Sequence, residues 1–189
     1  MGNEKDFSPR FDVQRDCVAE RRLNIPVPPD CLRRIANPFT SLHCQVIFST
    51  KNREPWLRTE IEERVWSYLG GIARENGMKA VMIGGIENHV HALVGVPPTL
   101  AVSKAVQLIK GGSSAWIKET FPDLRGFGWQ DGYGAFSVSK SQVPDVTEYI
   151  RGQREHHRVK SFEEEYRAFL DKHEIQYDER YVFDAEISG

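Results

Sequence analysis

The run Gly85-Ile86-Glu87-Asn88-His89-Val90-His91-Ala92-Leu93-Val94-Gly95 decides how the rest of the chain is read. In a strand, successive side chains alternate between the two faces, so His89 and His91 project together while Val90 points the other way. Two neutral imidazoles side by side form half of a divalent-metal site once further ligands arrive from elsewhere in the fold. Paired histidines in one strand also occur with no such role, so the pair needs support from other segments.

Working outward, residues 78–84 read as a second strand, joined to the histidine strand (89–96) by a tight turn at Glu87-Asn88. Residues 42–49 alternate and are rich in branched side chains, which predicts a first strand. Thr59, with Glu62 three residues on, has the pattern of a helix start, and Ile61, Val65, Tyr68, Leu69 and Ile72 keep helical spacing until Asn76-Gly77. A second helix is expected over about 99–119, with Val102, Val106, Ile109 and Trp116 as its apolar stripe. Lys110-Gly111-Gly112-Ser113-Ser114 is expected to interrupt it, because two internal glycines cost about 2 kcal/mol relative to alanine. The close backbone approach that they permit suits a phosphate, contacted by Lys110, Ser113 and Ser114, or equally a neighbouring helix. Residues 133–139 give a last strand and 143–158 a third helix, headed by Pro144 and Asp145. This order predicts an α+β fold, a ferredoxin-like sandwich in which helices pack on one face of an antiparallel sheet.

On the third helix, Tyr149, Gln153 and either His156 or His157 share a stripe, since spacings of four and seven return to one face. A surface helix that half-buries its tyrosine would have the same pattern. Glu155, His156 and His157 are candidates for proton handling near the tyrosine, with solvated helix termini as the plainer reading. Glu163-Glu164-Glu165 reads as a solvated helix start, and Phe127, Trp129, Tyr133 and Phe136 as core or as rings for stacking unpaired bases.

Taken together, these segments resemble the single-tyrosine transposases of the His-hydrophobic-His nuclease superfamily, most closely the REP-associated branch. The likeness runs over residues 39–183 through Ser41-Leu42-His43, Phe48-Ser49-Thr50-Lys51-Asn52-Arg53, Asn88-His89-Val90-His91, Trp129-Gln130-Asp131-Gly132-Tyr133, Tyr149-Ile150-Arg151-Gly152-Gln153 and Tyr177-Asp178-Glu179-Arg180-Tyr181. It implies Tyr149 as the nucleophile on single-stranded DNA and His89, His91 and Gln153 as metal ligands. It also implies the ferredoxin-like fold, a homodimer, and DNA ends folded into hairpins. Independently of the resemblance, Lys110, Ser113, Ser114, Arg151 and Arg154 are candidate DNA contacts. One position departs from the pattern that the resemblance implies: many relatives carry a histidine where this chain has Gln45 on the first strand.

The chemistry is consistent with those roles. A tyrosine, with a pKa of about 10, is a weak nucleophile at neutral pH, and a phosphodiester already carries negative charge. A divalent cation addresses the second difficulty by withdrawing charge from the phosphate, and an oxygen-and-imidazole donor set suits Mg2+ or Mn2+ better than thiolate-bound zinc. The expected activity is metal-dependent cleavage and rejoining of single-stranded DNA through a covalent 5′-phosphotyrosine. A replication initiator or relaxase would share this chemistry on another substrate. A noncatalytic nucleic-acid binder would use the sheet face instead and have no need of Tyr149 or Gln153.

Bulk properties are compatible with either. The chain of 189 residues has a net charge of −2, but residues 41–160 carry 15 basic and 12 acidic side chains while residues 161–189 carry 3 and 9. The positive charge therefore lies in the central segment, and phosphate binding follows local fields. Three cysteines without CxxC spacing suit a reducing, cytoplasmic setting, and neither a membrane span nor a signal peptide is expected. Residues 1–38, with paired arginines and a proline-rich run, read as a flexible extension, 39–183 as one transposase domain, and 184–189 as a tail.

Overall fold

The computed structural model describes residues 39–183; the extension expected at 1–38 and the tail at 184–189 lie outside the described residues. Strand β1 (His43–Ser49) lies inside a four-stranded antiparallel sheet with β2 (Lys79–Ile86), β3 (His89–Gly95) and β4 (Gly134–Val138), in the order β2-β3-β1-β4. Helix α1 (Thr59–Glu75) connects β1 to β2, and α2 (Val102–Thr120) connects β3 to β4. This is the ferredoxin-like sandwich expected from the order of elements.

The period of two in β1 and β3 divides the core. Val46, Phe48, Val90, Ala92 and Val94 face α1 and α2, where they meet Val65, Leu69, Val106 and Ile109. Val65 and Leu69 are fully buried, and each such side chain contributes about 1.5–3 kcal/mol. The other face carries Gln45, Ile47, His89, His91 and Leu93. It is covered by C-terminal helices: α3 (Val143–Arg151), the short α4 (Gln153–His156) and α5 (Phe162–Lys172), followed by α6 (Glu179–Val182). Helices therefore cover both faces, with α1 and α2 forming the sandwich and the later helices enclosing the histidines.

The β2–β3 connection fixes which face the histidines take. Gly85 pairs with Val90 and has φ of 156°, and a Cβ there would lie 2.1 Å from the carbonyl oxygen of His89. Only glycine permits that approach, and so the pairing that places His89 and His91 inward depends on it. Gly84 plays a packing role, lying so close to α3 that an added Cβ would be 3.1 Å from Ile150 O.

Two expectations are corrected. Helix α2 is continuous from Val102 to Thr120 and is not interrupted at 110–114. Its buried stripe of Ala105, Val106, Ile109, Ser113 and Ile117 holds it against the sheet and α1, and that packing outweighs the glycine cost. Gly112 serves the helix contact, since a Cβ would lie 3.1 Å from Ile72 Cδ1, whereas Gly111 faces open space. The helix expected over 143–158 instead breaks at Gly152, whose φ and ψ of −84° and 6° end α3 before Gln153 begins α4.

Candidate functional site

The site is built on the β3 face that carries His89 and His91, both fully buried. His89 Nδ1 lies 2.8 Å from Asn88 Oδ1, and His91 Nδ1 lies 3.1 Å from Gln45 Nε2, so each ring is oriented from behind by an amide. Gln45 is itself 3% exposed and supports His91 directly. Both Nε2 atoms point toward the helices opposite. Burial, and next the neighbouring His91, push His89 down to about 3, which keeps its imidazole neutral.

Helices α3 and α4 bring Tyr149 and Gln153 to the same place despite the break at Gly152. Gln153 Oε1 lies 3.2 Å from His89 Nε2 and 3.1 Å from His157 Nε2. The half-buried Tyr149 ring stands edge-on to His91, with centroids 5.9 Å apart. All four residues singled out by spacing, His89, His91, Tyr149 and Gln153, are thus gathered at one point.

At their centre lies Glu165, from α5, which is 2% exposed. This corrects the reading of 163–165 as a solvated helix start: Glu163 and Glu164 lie near solvent, while Glu165 turns inward. Its Oε1 accepts hydrogen bonds from the Tyr149 hydroxyl and from Gln153 Nε2 at 2.9 Å. Its Oε2 lies 3.2 Å from both His91 Nε2 and His157 Nε2 and 3.6 Å from His89 Nε2. Burial opposes its ionisation, yet the contacts from His157 and His91 hold the carboxyl well below the usual carboxylate range. Burial and the hydrogen bond to Glu165 push the Tyr149 phenol well above its ordinary value. One ligand atom from each of His89, His91 and Glu165 falls within 4.8 Å of the others, a grouping compatible with a metal ion.

Nor are His156 and His157 solvated helix termini. His157 bonds Gln153, Glu165 and the Lys160 carbonyl, and the Glu165 contact raises its pKa despite burial. His156 stands 5.3 Å from the Tyr149 ring, and its Nε2 lies 3.6 Å from Glu165 Oε1. A pocket of about 390 Å3, lined by Gln45, Tyr149, His156, Glu165 and Phe169, opens onto the tyrosine side. Glu155 remains at the surface, paired with Arg158 at 3.0 Å.

The candidate DNA contacts are not gathered in this way. The Lys110 ammonium donates to the carbonyls of Gln130 and Gly132 at 2.6 and 2.7 Å, tying down the loop before β4. Ser113 is fully buried, its hydroxyl donating to Ile109 O and accepting from Trp129 Nε1 at 2.9 Å, so the expectation that it meets DNA is corrected. Ser114 is half-buried, and Arg151 is exposed beside Glu148. Arg154 pairs with Glu62 and Glu87 at 2.7 and 2.9 Å. Of the aromatic set, Phe127, Trp129 and Phe136 belong to the core, and Tyr133 is exposed.

Comparison with known proteins places this geometry in a family. Residues 38–153 match the family model described as "Transposase IS200 like". The ISDra2 transposase TnpA of Deinococcus radiodurans is 26% identical over 119 residues, covering 60% of this chain and 85% of that protein. The transposase for insertion sequence element IS200 of Salmonella typhimurium is 28% identical over 120 residues, covering 60% and 78%. A crystal structure of a candidate transposase from Deinococcus radiodurans superposes with a TM-score of 0.52 at 27% identity, over 62% of this chain and 94% of that one. Because the matched span takes in β1, both histidines, Tyr149 and Gln153 and covers more than half of the sequence, the chain belongs to the IS200-like transposase family.

Proposed function

We propose that this transposase cleaves and rejoins single-stranded DNA at ends folded into hairpins, with Tyr149 as nucleophile and His89, His91 and Gln153 holding a divalent cation. The observation that carries the reading is the convergence of the Tyr149 hydroxyl, the two imidazole Nε2 atoms and the Gln153 amide on one buried point. The donors fit a divalent cation such as Mg2+ or Mn2+: imidazole nitrogens and amide or carboxylate oxygens, with no cysteine sulfur beside them among the described residues. When bound, the cation supplies charge withdrawal from the scissile phosphate.

The chain's own residues do the rest. In the cleavage step a bond forms between the Tyr149 oxygen and phosphorus, and the bond from phosphorus to the 3′ oxygen breaks. The phenol gives up a proton and the departing 3′ oxygen takes one, which leaves a 3′ hydroxyl and a 5′-phosphotyrosine. Attack of another 3′ hydroxyl on that linkage reverses the step and rejoins strands with no further energy source. Gln45 and Asn88 hold the imidazoles in place, and the neutral state of His89 keeps a lone pair available. Arg151 and Arg154, on the helices that bear Tyr149 and Gln153, are the proposed phosphate contacts, and a homodimer is the proposed assembly. An initiator or relaxase would use the same residues, and the family match favours transposition. Coverage of both sheet faces favours the enzyme over a sheet-face reader of RNA, which needs one face open.

The test is incubation with end-labelled single-stranded DNA carrying a hairpin beside the cut, in Mn2+. A labelled protein band that survives denaturation is expected from the wild type and not from Tyr149→Phe; its persistence in the variant would exclude Tyr149 as nucleophile.

A further inference from the structure

We infer that Glu165 is an additional, anionic ligand of the cation site, and that its carboxylate joins the cation to the nucleophile, Oε2 serving the first and Oε1 holding the second. This rests on the reading of His89, His91 and Gln153 as a metal site. Helix α5 begins at Phe162, beyond residue 153 where the family match ends, so the match itself assigns no role to Glu165.

The two carboxylate oxygens have separate surroundings. Oε2 faces the Nε2 atoms of His91, His157 and His89 at 3.2, 3.2 and 3.6 Å, and Oε1 faces Tyr149 and Gln153. A buried carboxylate is retained at a cost unless positive charge compensates it. Among the described residues, every ion-pair partner within 4 Å of Glu165 is a histidine, and none is a lysine or arginine.

The hydrogen bonds around His89 point the same way. Asn88 Oδ1 lies 2.8 Å from His89 Nδ1, a contact that favours the tautomer with the ring's single proton on Nδ1. Nε2 then turns its lone pair toward Gln153 Oε1 at 3.2 Å and Glu165 Oε2 at 3.6 Å, both oxygens that also accept hydrogen bonds. A cation at this point would satisfy the lone pair and both oxygens together. At His91, the Gln45 Nε2 amide lies 3.1 Å from Nδ1, and Nε2 faces the same point, 3.2 Å from Glu165 Oε2.

Helix α5 is built to hold Glu165 there. Ser161 and Glu164 form a capping box at its start, Phe162 stacks on His89 at 4.6 Å and Phe169 lies against His91 at 6.1 Å. Phe162, Glu165 and Phe169 share one helix face, so the acid is set into an apolar stripe that grips both imidazoles. A carboxylate added to two imidazoles and an amide lowers the net charge of a loaded site from +2 to +1 and raises its affinity for a hard cation.

Mn2+ binding to the full chain, without DNA, tests this by titration calorimetry with free Mn2+ followed by electron paramagnetic resonance. One Mn2+ is expected on the wild type, binding is expected to be lost in His91→Ala, and at least tenfold weaker binding is expected in Glu165→Gln. Glu164→Gln removes the same charge from the same helix while keeping the capping pattern, and is expected to bind as the wild type does. Equal affinity of Glu165→Gln and wild type would overturn the role of Glu165 and leave the histidine site standing, whereas no binding by the wild type would overturn the metal reading itself. Should Glu165→Gln not fold, Glu165→Asp, which draws the same charge back by one methylene, is expected to bind several-fold more weakly; unchanged binding would overturn the proposal equally.

Discussion

The Tyr149 hydroxyl donates its hydrogen bond to Oε1 of Glu165, a carboxylate whose other oxygen faces the two strand histidines. At rest this bond keeps the phenol protonated, because an anion beside it makes phenolate formation harder. Tyr149→Phe removes the oxygen proposed to attack and leaves Gln153 to bond Glu165. Cleavage should fall by at least about 1,000-fold, since the residual rate of a site lacking its nucleophile comes from binding alone. Stability should fall by only about 1.5–3 kcal/mol, the worth of one hydrogen bond to a charged group. Urea denaturation beside a cleavage assay separates the two effects, and a variant that unfolds would contradict this account.

Cation dependence is the second expectation. His89→Ala, His91→Ala and excess chelator applied to the wild type should each abolish cleavage, and added Mn2+ should restore only the chelated wild type. Full activity in chelator would remove the cation from the mechanism.

Acid should destabilise the fold in a way that reports on His89. Its folded pKa of about 3 lies below its ordinary 6.5, so between those values the unfolded chain binds a proton that the folded chain does not. Stability from this group is therefore fully present above pH 6.5 and is lost as pH falls toward 3, with a slope of up to about 1.4 kcal/mol per pH unit. Glu165, also lowered, adds to the loss below 4.5, whereas His157, raised, contributes in the opposite sense. His89→Asn should flatten the plot of unfolding free energy against pH between 6 and 4.5. A variant with the wild-type slope would show that His89 titrates normally.

Ser113 distinguishes a core contact from a DNA contact. Ser113→Ala strips Trp129 Nε1 of its acceptor in a buried setting, which should cost about 1–3 kcal/mol in urea denaturation. Hairpin affinity of the folded variant should stay within twofold of the wild type; a larger loss of affinity with unchanged stability would restore Ser113 to the DNA interface.

Gly85→Ala probes the backbone that aims the histidines. The added Cβ meets the His89 carbonyl oxygen, so β2 and β3 must shift apart at the pair that orients both imidazoles. We expect more than about 2 kcal/mol of destabilisation, together with loss of Mn2+ binding in whatever remains folded. A variant as stable as the wild type would contradict the close approach of Gly85 to His89.

Much of the site is legible in the sequence because it rests on local periodicities. The alternation in 89–95 puts both histidines on one face, and the four-residue step puts Tyr149 and Gln153 together even though Gly152 ends the helix between them. Glu165 escapes such a reading because it sits in a run of three acids, and such runs are usually solvated. The available signal is its place between Phe162 and Phe169 at spacings of three and four, a single acid on an apolar stripe. Glycine propensity misleads at α2, where buried packing on both sides of Gly111-Gly112 decides the outcome. The contacts of His157 with Glu165 and of Gln45 with His91 are out of reach for a related reason: each joins residues from different elements, and no local pattern brings them together.

The most direct test of the central claim is peptide mass analysis of the full chain after incubation with Mn2+ and single-stranded DNA bearing a hairpin beside the cut. The account predicts a nuclease-trimmed 5′-phosphonucleotide on the peptide containing Tyr149, and little adduct when the same sequence is supplied fully paired. An adduct on any other residue, or equal adduct from the paired DNA, would contradict it.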